Sequence, residues 1–433
     1  MPFAVGPSGP ISDARLPVAL RHFCRALWPR AAIGCPPVAH WLQTVIGEGE
    51  HVMWPRATGA CLALLTALAA GAAVPPPLPS EHLGIAKLGA PSPHWVWVFD
   101  ESNNNETDMR LYLYDGDAHR QLGQIDSGFW PSVAMSPDGR TTAVATTYFS
   151  RGGHGTRTDV LELTDNSTLS ITGEIVLPSK HAQAIPLNAE AYSADGRFVY
   201  VANLSPATSY SVVDMSAKSV VGEVDTDGCV LVIPSGQRRV SSLCENGRML
   251  TVTLDEAGHE LSRKVSAPFF NVDKDPIFVQ GERTAKGITF LSFLGDVYDV
   301  DLSGAEPVFA PVWSTMTAAE RGKWRPGGAQ VLAVHPNSGR MYLQVHRGGD
   351  GSHKVTGEEV WVYDTASHRR VARWPVDVKQ HGGVQGIHVT RDDKPLLFLV
   401  TEASDLLILD ATTGRMLHAE PKLGQSSWYL LNP

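Results

Sequence analysis

The chain is predicted to be all-β, a seven-bladed β-propeller with four-stranded antiparallel blades. Three observations carry that prediction. A short β-branched or aromatic run ending in Asp recurs seven times. A DG-type turn stands before several of the copies. The copies follow one another at roughly 45–50 residues, the length of one four-stranded blade. The Asp-terminated runs are Leu111–Asp115, Leu161–Asp165, Val212–Asp214, Thr253–Asp255, Val300–Asp301, Trp361–Asp364 and Leu407–Asp410. The steps between these Asp residues are 50, 49, 41, 46, 63 and 46.

The Asp has a local reason: its carboxylate accepts a hydrogen bond from a backbone N–H two residues on and so holds a turn. The second turn reads Ser136-Pro137-Asp138-Gly139-Arg140, Ser193-Ala194-Asp195-Gly196-Arg197, His335 to Arg340, and Thr390 to Lys394. An apolar strand follows it, as in Phe198–Val201 and Leu396–Val400. Each unit therefore reads as strand, turn, strand, loop, Asp-terminated strand, strand. A ring of such units must close or leave a bare strand edge. Trp428–Leu431 is expected to pair with Trp95–Phe99 and close it. The long step before Asp364 calls for an insertion, and the capping-box pattern Thr317-Ala318-Ala319-Glu320 predicts a short helix there. A two-layer β-sandwich array is the alternative, disfavoured by the seven matching units.

Composition sets the limits. Of 433 residues, 43% are hydrophobic and 19% charged, enough apolar material for a large core. A net charge of −9 argues against nucleic acid, which needs a basic footprint. The 40 Gly and 30 Pro read as many tight turns. The N-terminal region differs from the rest. Met53-Trp54-Pro55-Arg56, an apolar run from Ala60 to Ala73 and the small-x-small Ala70-Gly71-Ala72 read together as a signal peptide, residues 53–72. A membrane anchor is the alternative, although the run is short for a span and no membrane association is expected. Residues 1–52 are expected to be a start-site artefact or leader, 73–93 a Pro-rich linker, and 94–433 the propeller. Cys24, Cys35 and Cys61 precede that domain. Cys229 and Cys244 remain, a pair that reads as one disulfide in an exported chain, or else as two buried thiols.

No phosphate loop, HExxH or GxSxG is present. The glycine pairs at 152–153, 348–349 and 382–383 read as turns. His154, His346, His353, His381 and His388 have no metal-site spacing, so no metal is expected. Two classes stay open on the residues alone: a scaffold or binding subunit, and a stand-alone propeller enzyme or binding protein of lactonase-like or cytochrome-d1-like type.

Several ordered segments narrow this. They are Thr146-Thr147-Tyr148 with Gly155–Val160, Leu204–Ser209, the Cys229/Cys244 spacing, Asp275–Phe278, Gly295–Tyr298, Trp324–Gly328, Ser338–Tyr342 and Glu359–Asp364. Together they resemble the large subunit of tryptophan tryptophylquinone amine dehydrogenases, closest to the aromatic amine dehydrogenase branch, over roughly residues 94–430. The resemblance implies a periplasmic propeller subunit with Cys229 and Cys244 disulfide-bonded. It implies no catalytic residues and no cofactor on this chain. The tryptophan tryptophylquinone would sit on a partner small subunit, in an α2β2 tetramer that deaminates primary amines to aldehyde and ammonia. A small copper protein would accept the electrons. In the methylamine-specific branch an aromatic residue on an early loop borders the substrate channel. The matching loop here, Glu101 to Met109, holds none. Asn103, Asn104, Asn105, Phe129 and Trp130 are the candidates for the substrate channel or small-subunit contact. Blade core is the alternative for Phe129 and Trp130.

Overall fold

The computed structural model describes residues 84, 86–102, 105–183 and 187–432. The expected leader, signal peptide and most of the linker lie outside the described residues, as do Asn103 and Asn104.

The described strands form antiparallel sheets, and the α-helix among them is the four-residue Val378–His381. The first sheet has seven strands and divides within Arg120–Met135: residues up to Gly128 pair with Met109–Asp115, and residues from Phe129 pair with Thr141–Arg151. Counted this way, the described strands make seven units, each with four strand positions. Ser427–Leu431 pairs with Trp95–Asp100 in the first unit, in the register Trp97 to Leu431, Val98 to Leu430 and Phe99 to Tyr429.

The core shows how the units are joined. Successive side chains of a strand point to opposite faces, and runs such as Trp95–Phe99 and Leu396–Val400 are apolar and buried throughout, so each sheet presents one apolar row to the unit before it and one to the unit after. Trp97 and Val144 share a cluster between the first and second units, and Leu163 and Val199 share the next. Phe198 with Val252, Leu231 with Phe290, Leu291 with Trp361, and Ala333 with Ile387 continue the series. The last cluster returns Phe398 and Ile408 of the seventh unit to Val96 and Tyr114 of the first. The sheets therefore pack face to face in a closed ring, with one apolar layer between each neighbouring pair.

The recurrent Asp residues act as their sequence position suggests. Each accepts backbone N–H bonds from the turn it begins: Asp115 from Asp117 (2.9 Å), Asp165 from Ser167 (2.8 Å), Asp214 from Ser216 (2.8 Å) and Asp255 from Ala257 (2.9 Å). Asp301 accepts from Ser303 (2.9 Å), Asp364 from Ser367 (2.8 Å) and Asp410 from Thr412 (2.9 Å). The DG turns use a second device. The Ser193 hydroxyl donates to Asp195 and accepts from the Phe198 amide, and Thr390 does the same with Asp392 and Leu396. All of these turns lie at one end of the ring, the turn face. The loop 101–108 lies at the opposite end, the loop face.

These turns make stability pH-dependent. The carboxyls of Asp165, Asp301 and Asp364 are lowered chiefly by a serine hydroxyl, and those of Asp214, Asp255 and Asp410 chiefly by a backbone N–H. A depressed carboxyl stabilises the fold above its unfolded value and loses that contribution as pH falls through the folded one. His94 has the opposite sign. Burial alone would lower it, but Asp117 at 2.7 Å and Asp392 at 3.1 Å outweigh that and raise it above 6.5. Its contribution is complete below pH 6.5 and fades as pH rises through the raised value. Thermal unfolding across pH should therefore show an acid limb below pH 3.8 and a loss on the alkaline side, to which the raised carboxyls of Glu101, Glu190 and Glu282 add and which His94→Gln should reduce. An unchanged alkaline limb in that variant would refute the His94 contribution.

Two local results complete the fold. Cys229 and Cys244 are joined by a disulfide across directly opposed positions of neighbouring strands. The helix expected at Thr317–Glu320 is not formed, which corrects that expectation. The capping-box bonds exist, with the Thr317 amide donating to the Glu320 carboxylate at 3.0 Å, but the segment is a run of turns. Glu320 is also held by Arg370 at 2.7 Å, which fixes it to the sixth sheet.

Candidate functional site

The loop-face site begins where Trp95–Asp100 ends. Asp100 is fully buried and acts as the clamp of the loop. Its carboxylate accepts from the amides of Ser102 (3.1 Å), Gln425 (2.9 Å) and Ser426 (2.7 Å) and from the Tyr112 hydroxyl (3.3 Å). One carboxylate thus holds both the start of the 101–108 loop and the approach to the closing strand. Gly424 is required beside it, since its φ is +94° and a Cβ there would lie 2.8 Å from the carboxylate. Asn105 is exposed and accepts from the Thr107 hydroxyl at 2.8 Å.

Opposite the loop, the chain bulges at Phe129–Ser132 where the register with Thr141–Arg151 shifts. Trp130 is pushed out of the ladder into the left-handed region, at φ +46°. Its indole Nε1 donates to Glu106 at 3.2 Å, so the structure brings Trp130 to the loop that carries Asn105. Phe129 packs its ring edge against Phe149, with centroids 5.7 Å apart. Both residues are half-buried rather than fully buried core.

Trp130 is held from behind by a buried polar chain. The Nε2 of His181 meets the Trp130 carbonyl at 3.0 Å, and its Nδ1 meets Asp159 at 2.8 Å. Asp159 also accepts from both ends of the Arg157 guanidinium, at 2.7 and 2.6 Å, and from the Thr147 hydroxyl at 2.9 Å. Burial alone would raise this carboxyl, but the bonds from His181 and Arg157 outweigh it and hold it well below the usual range. Beside the loop, Glu101 is 2% exposed and its Oε2 has no partner. Burial, then repulsion from Glu106 and Asp100, pushes it up to about 8. The site therefore offers an aromatic ring, a carboxylate at its rim and a carboxyl that is largely protonated at neutral pH.

Of the residues singled out in the sequence, the structure brings Trp130 to the loop that carries Asn105 and packs Phe129 against Phe149, while Glu101, Glu106, Asp159 and His181 were not singled out. Glu101 and Glu106 sit in the loop already singled out. Asp159 and His181 come from different sheets and carry no mutual spacing signal. Among the described residues, no group of three or more His, Cys, Asp or Glu is arranged to hold a metal ion.

The model of the family described as "Methylamine dehydrogenase heavy chain (MADH)" matches residues 93–431. The chain is 28% identical over 403 residues to the methylamine dehydrogenase heavy chain of Methylophilus methylotrophus, covering 89% of this chain and 98% of that protein. It is 28% identical over 346 residues to the heavy chain of Paracoccus versutus, covering 79% of this chain and 80% of that one. Among solved structures, the dihydro-heme d1 dehydrogenase NirN in complex with DHE aligns with a TM-score of 0.51 at 16% identity. That alignment covers 81% of this chain and 78% of NirN, a likeness of fold alone.

Proposed function

This chain belongs to the methylamine dehydrogenase heavy chain family, and from that premise we propose that it is the large, quinone-free subunit of a periplasmic amine dehydrogenase. The enzyme oxidatively deaminates primary amines to aldehyde and ammonia. The observation that carries the reading is the family match across residues 93–431, which spans every unit of the ring.

The partner in this proposal is a small subunit bearing tryptophan tryptophylquinone, in an α2β2 assembly, with a small copper protein as electron acceptor. When bound, the quinone supplies the electron sink for the amine. This chain supplies a wall. Trp130 and Glu106 stand at its surface with Asn105, and Tyr148, Leu204, Val355 and Val378 add exposed apolar side chains on the same face. That mixture of aromatic, apolar and rim carboxylate groups suits a protein contact. Among the described indoles, Trp324 and Trp361 are held by packing. They lie with centroids 5.3 Å apart, both beneath the Arg373 guanidinium. The Cys229–Cys244 disulfide supports an oxidising compartment. Among the described residues, no helix is long and apolar enough to cross a membrane.

The substrate is proposed to be a primary amine larger than methylamine. The loop that would narrow the entrance carries Asn105 where an aromatic ring would close it, and Trp130 offers an apolar face beside it. In enzyme reconstituted with the small subunit, Asn105→Phe should lower kcat/KM for an arylalkyl amine by about tenfold, the scale of one lost apolar contact, and leave methylamine turnover little changed. Equal turnover of both amines before and after the substitution would end the channel assignment.

A further inference from the structure

At the turn face, the ring's central channel opens into a cavity of ≈ 750 Å³ walled by residues of all seven units. Arg283, Arg391, Glu282 and His388 face into it, with Asn432 at its edge. Arg283 makes one bond, from Nη2 to the Pro234 carbonyl at 2.9 Å. With its amide turned to satisfy both neighbours, Asn432 accepts from Arg391 Nε at 2.9 Å and Nη2 at 3.1 Å and donates to His388 Nε2 at 2.8 Å. Among the described residues, neither guanidinium has a carboxylate within 4.0 Å, and Glu282 is equally unpaired. Pro433 lies outside the described residues.

The charge balance inside the mouth is positive. Burial holds His388 down at about 4, so it is neutral at pH 7. Glu190, also in the wall and 3% exposed, is raised well above the carboxylate range by burial, and its carboxyl accepts from the Ala145 amide at 2.9 Å. Burial also pushes Glu282 up to about 7, so it is only partly ionised there. On the rim, Asp138 is engaged by the Ser136 hydroxyl at 2.6 Å and the Arg140 guanidinium at 3.8 Å. Among the described residues the two guanidiniums thus face at most one free carboxylate, on a chain whose net charge is −9. Burial, then repulsion from Arg391, lowers Arg283 to about 10. A cleft with an excess of one sign of charge focuses its field on incoming counter-ions, and an anion between the two guanidiniums would relieve their repulsion.

We propose that this channel mouth is a binding site for a small oxyanion, a phosphate or a short carboxylate, clamped by Arg283 and Arg391. Guanidinium is suited to that ligand because its N–H groups match the spacing of paired oxygens. The site lies at the opposite end of the ring from Trp130 and does not depend on the amine-oxidising reading.

Isothermal titration of the full chain at pH 7 with inorganic phosphate, and separately with succinate, tests it. Saturable binding of either is expected, and the stronger of the two identifies the oxyanion. Arg391→Gln and Arg283→Gln should each weaken it about tenfold or more, the effect of losing a charge-assisted bond. Glu282→Gln should tighten it several-fold by removing a like charge, a gain that a misfolded variant does not produce. Lys354→Gln, on the loop face, should leave it unchanged. No saturable binding of either probe would overturn the proposal. So would affinity unchanged in both Arg variants, or lowered equally by Lys354→Gln.

Discussion

Ending the chain after Ser426 should lower the unfolding midpoint by more than about 10 °C or leave the protein insoluble. The closing strand Ser427–Leu431 supplies an entire edge. Without it, Trp95–Asp100 is left with unpaired backbone groups along one side, a template for aggregation. Tyr429 and Leu430 are 6% and 1% exposed, and burial of side chains of this size is worth roughly 1.5–3 kcal/mol each. Leu430 is bonded to the sixth unit as well. Its amide donates to Gln330 Oε1 at 2.8 Å, and its carbonyl accepts from Gln330 Nε2 at 3.0 Å. Losing the strand therefore opens the first unit and frees a buried amide in the sixth. Leu430→Ala gives a milder check, at about 2–5 kcal/mol. Circular dichroism melts and gel filtration read both. A truncated chain that stays monomeric and melts within a few degrees of the intact one would show that closure is not what holds the ring.

Asp159→Ala is the second large effect. The carboxylate is the shared acceptor of Arg157, His181 and Thr147, and removing it strands a guanidinium and an imidazole in a buried place. Breaking a buried pair by deleting one partner costs about 3–5 kcal/mol. The damage should not stop at stability. His181 loses the partner that fixes its ring, and with it the bond that holds the Trp130 carbonyl in its left-handed bulge. The indole should then leave Glu106, which a change in Trp130 fluorescence relative to an Asp159→Ala/Trp130→Phe background would register. Thr147→Ala, which removes only a hydroxyl, should cost about 1 kcal/mol and leave Trp130 in place. Equal losses in the two single variants would mean that the cluster is ordinary packing.

How much of this was legible in the sequence follows from which forces are local. The Asp turns were legible because the donor lies two or three residues from the acceptor, so Asp214 and Asp410 announce their turns whatever surrounds them. Trp428–Leu431 was legible as a strand needing an edge. The capping box at Thr317 was legible too, and its bonds formed, but the helix did not: Glu320 is held by Arg370, a residue fifty positions on. The site was half legible. Asn105 and Trp130 could be singled out as residue types in suggestive places. The bulge that turns Trp130 toward Glu106, and the His181–Asp159 pair behind it, arise only when neighbouring sheets pack. The channel mouth is the extreme case, since Glu190, Arg283, His388 and Arg391 are brought together by closure of the ring alone.

The central claim is that this polypeptide supports amine oxidation without performing it. Amine-dependent dye reduction should therefore be measured on the purified chain alone, and again after the quinone-bearing small subunit is added. The account predicts no turnover in the first sample and turnover in the second, in proportion to complex formed. Turnover by the chain alone would contradict it.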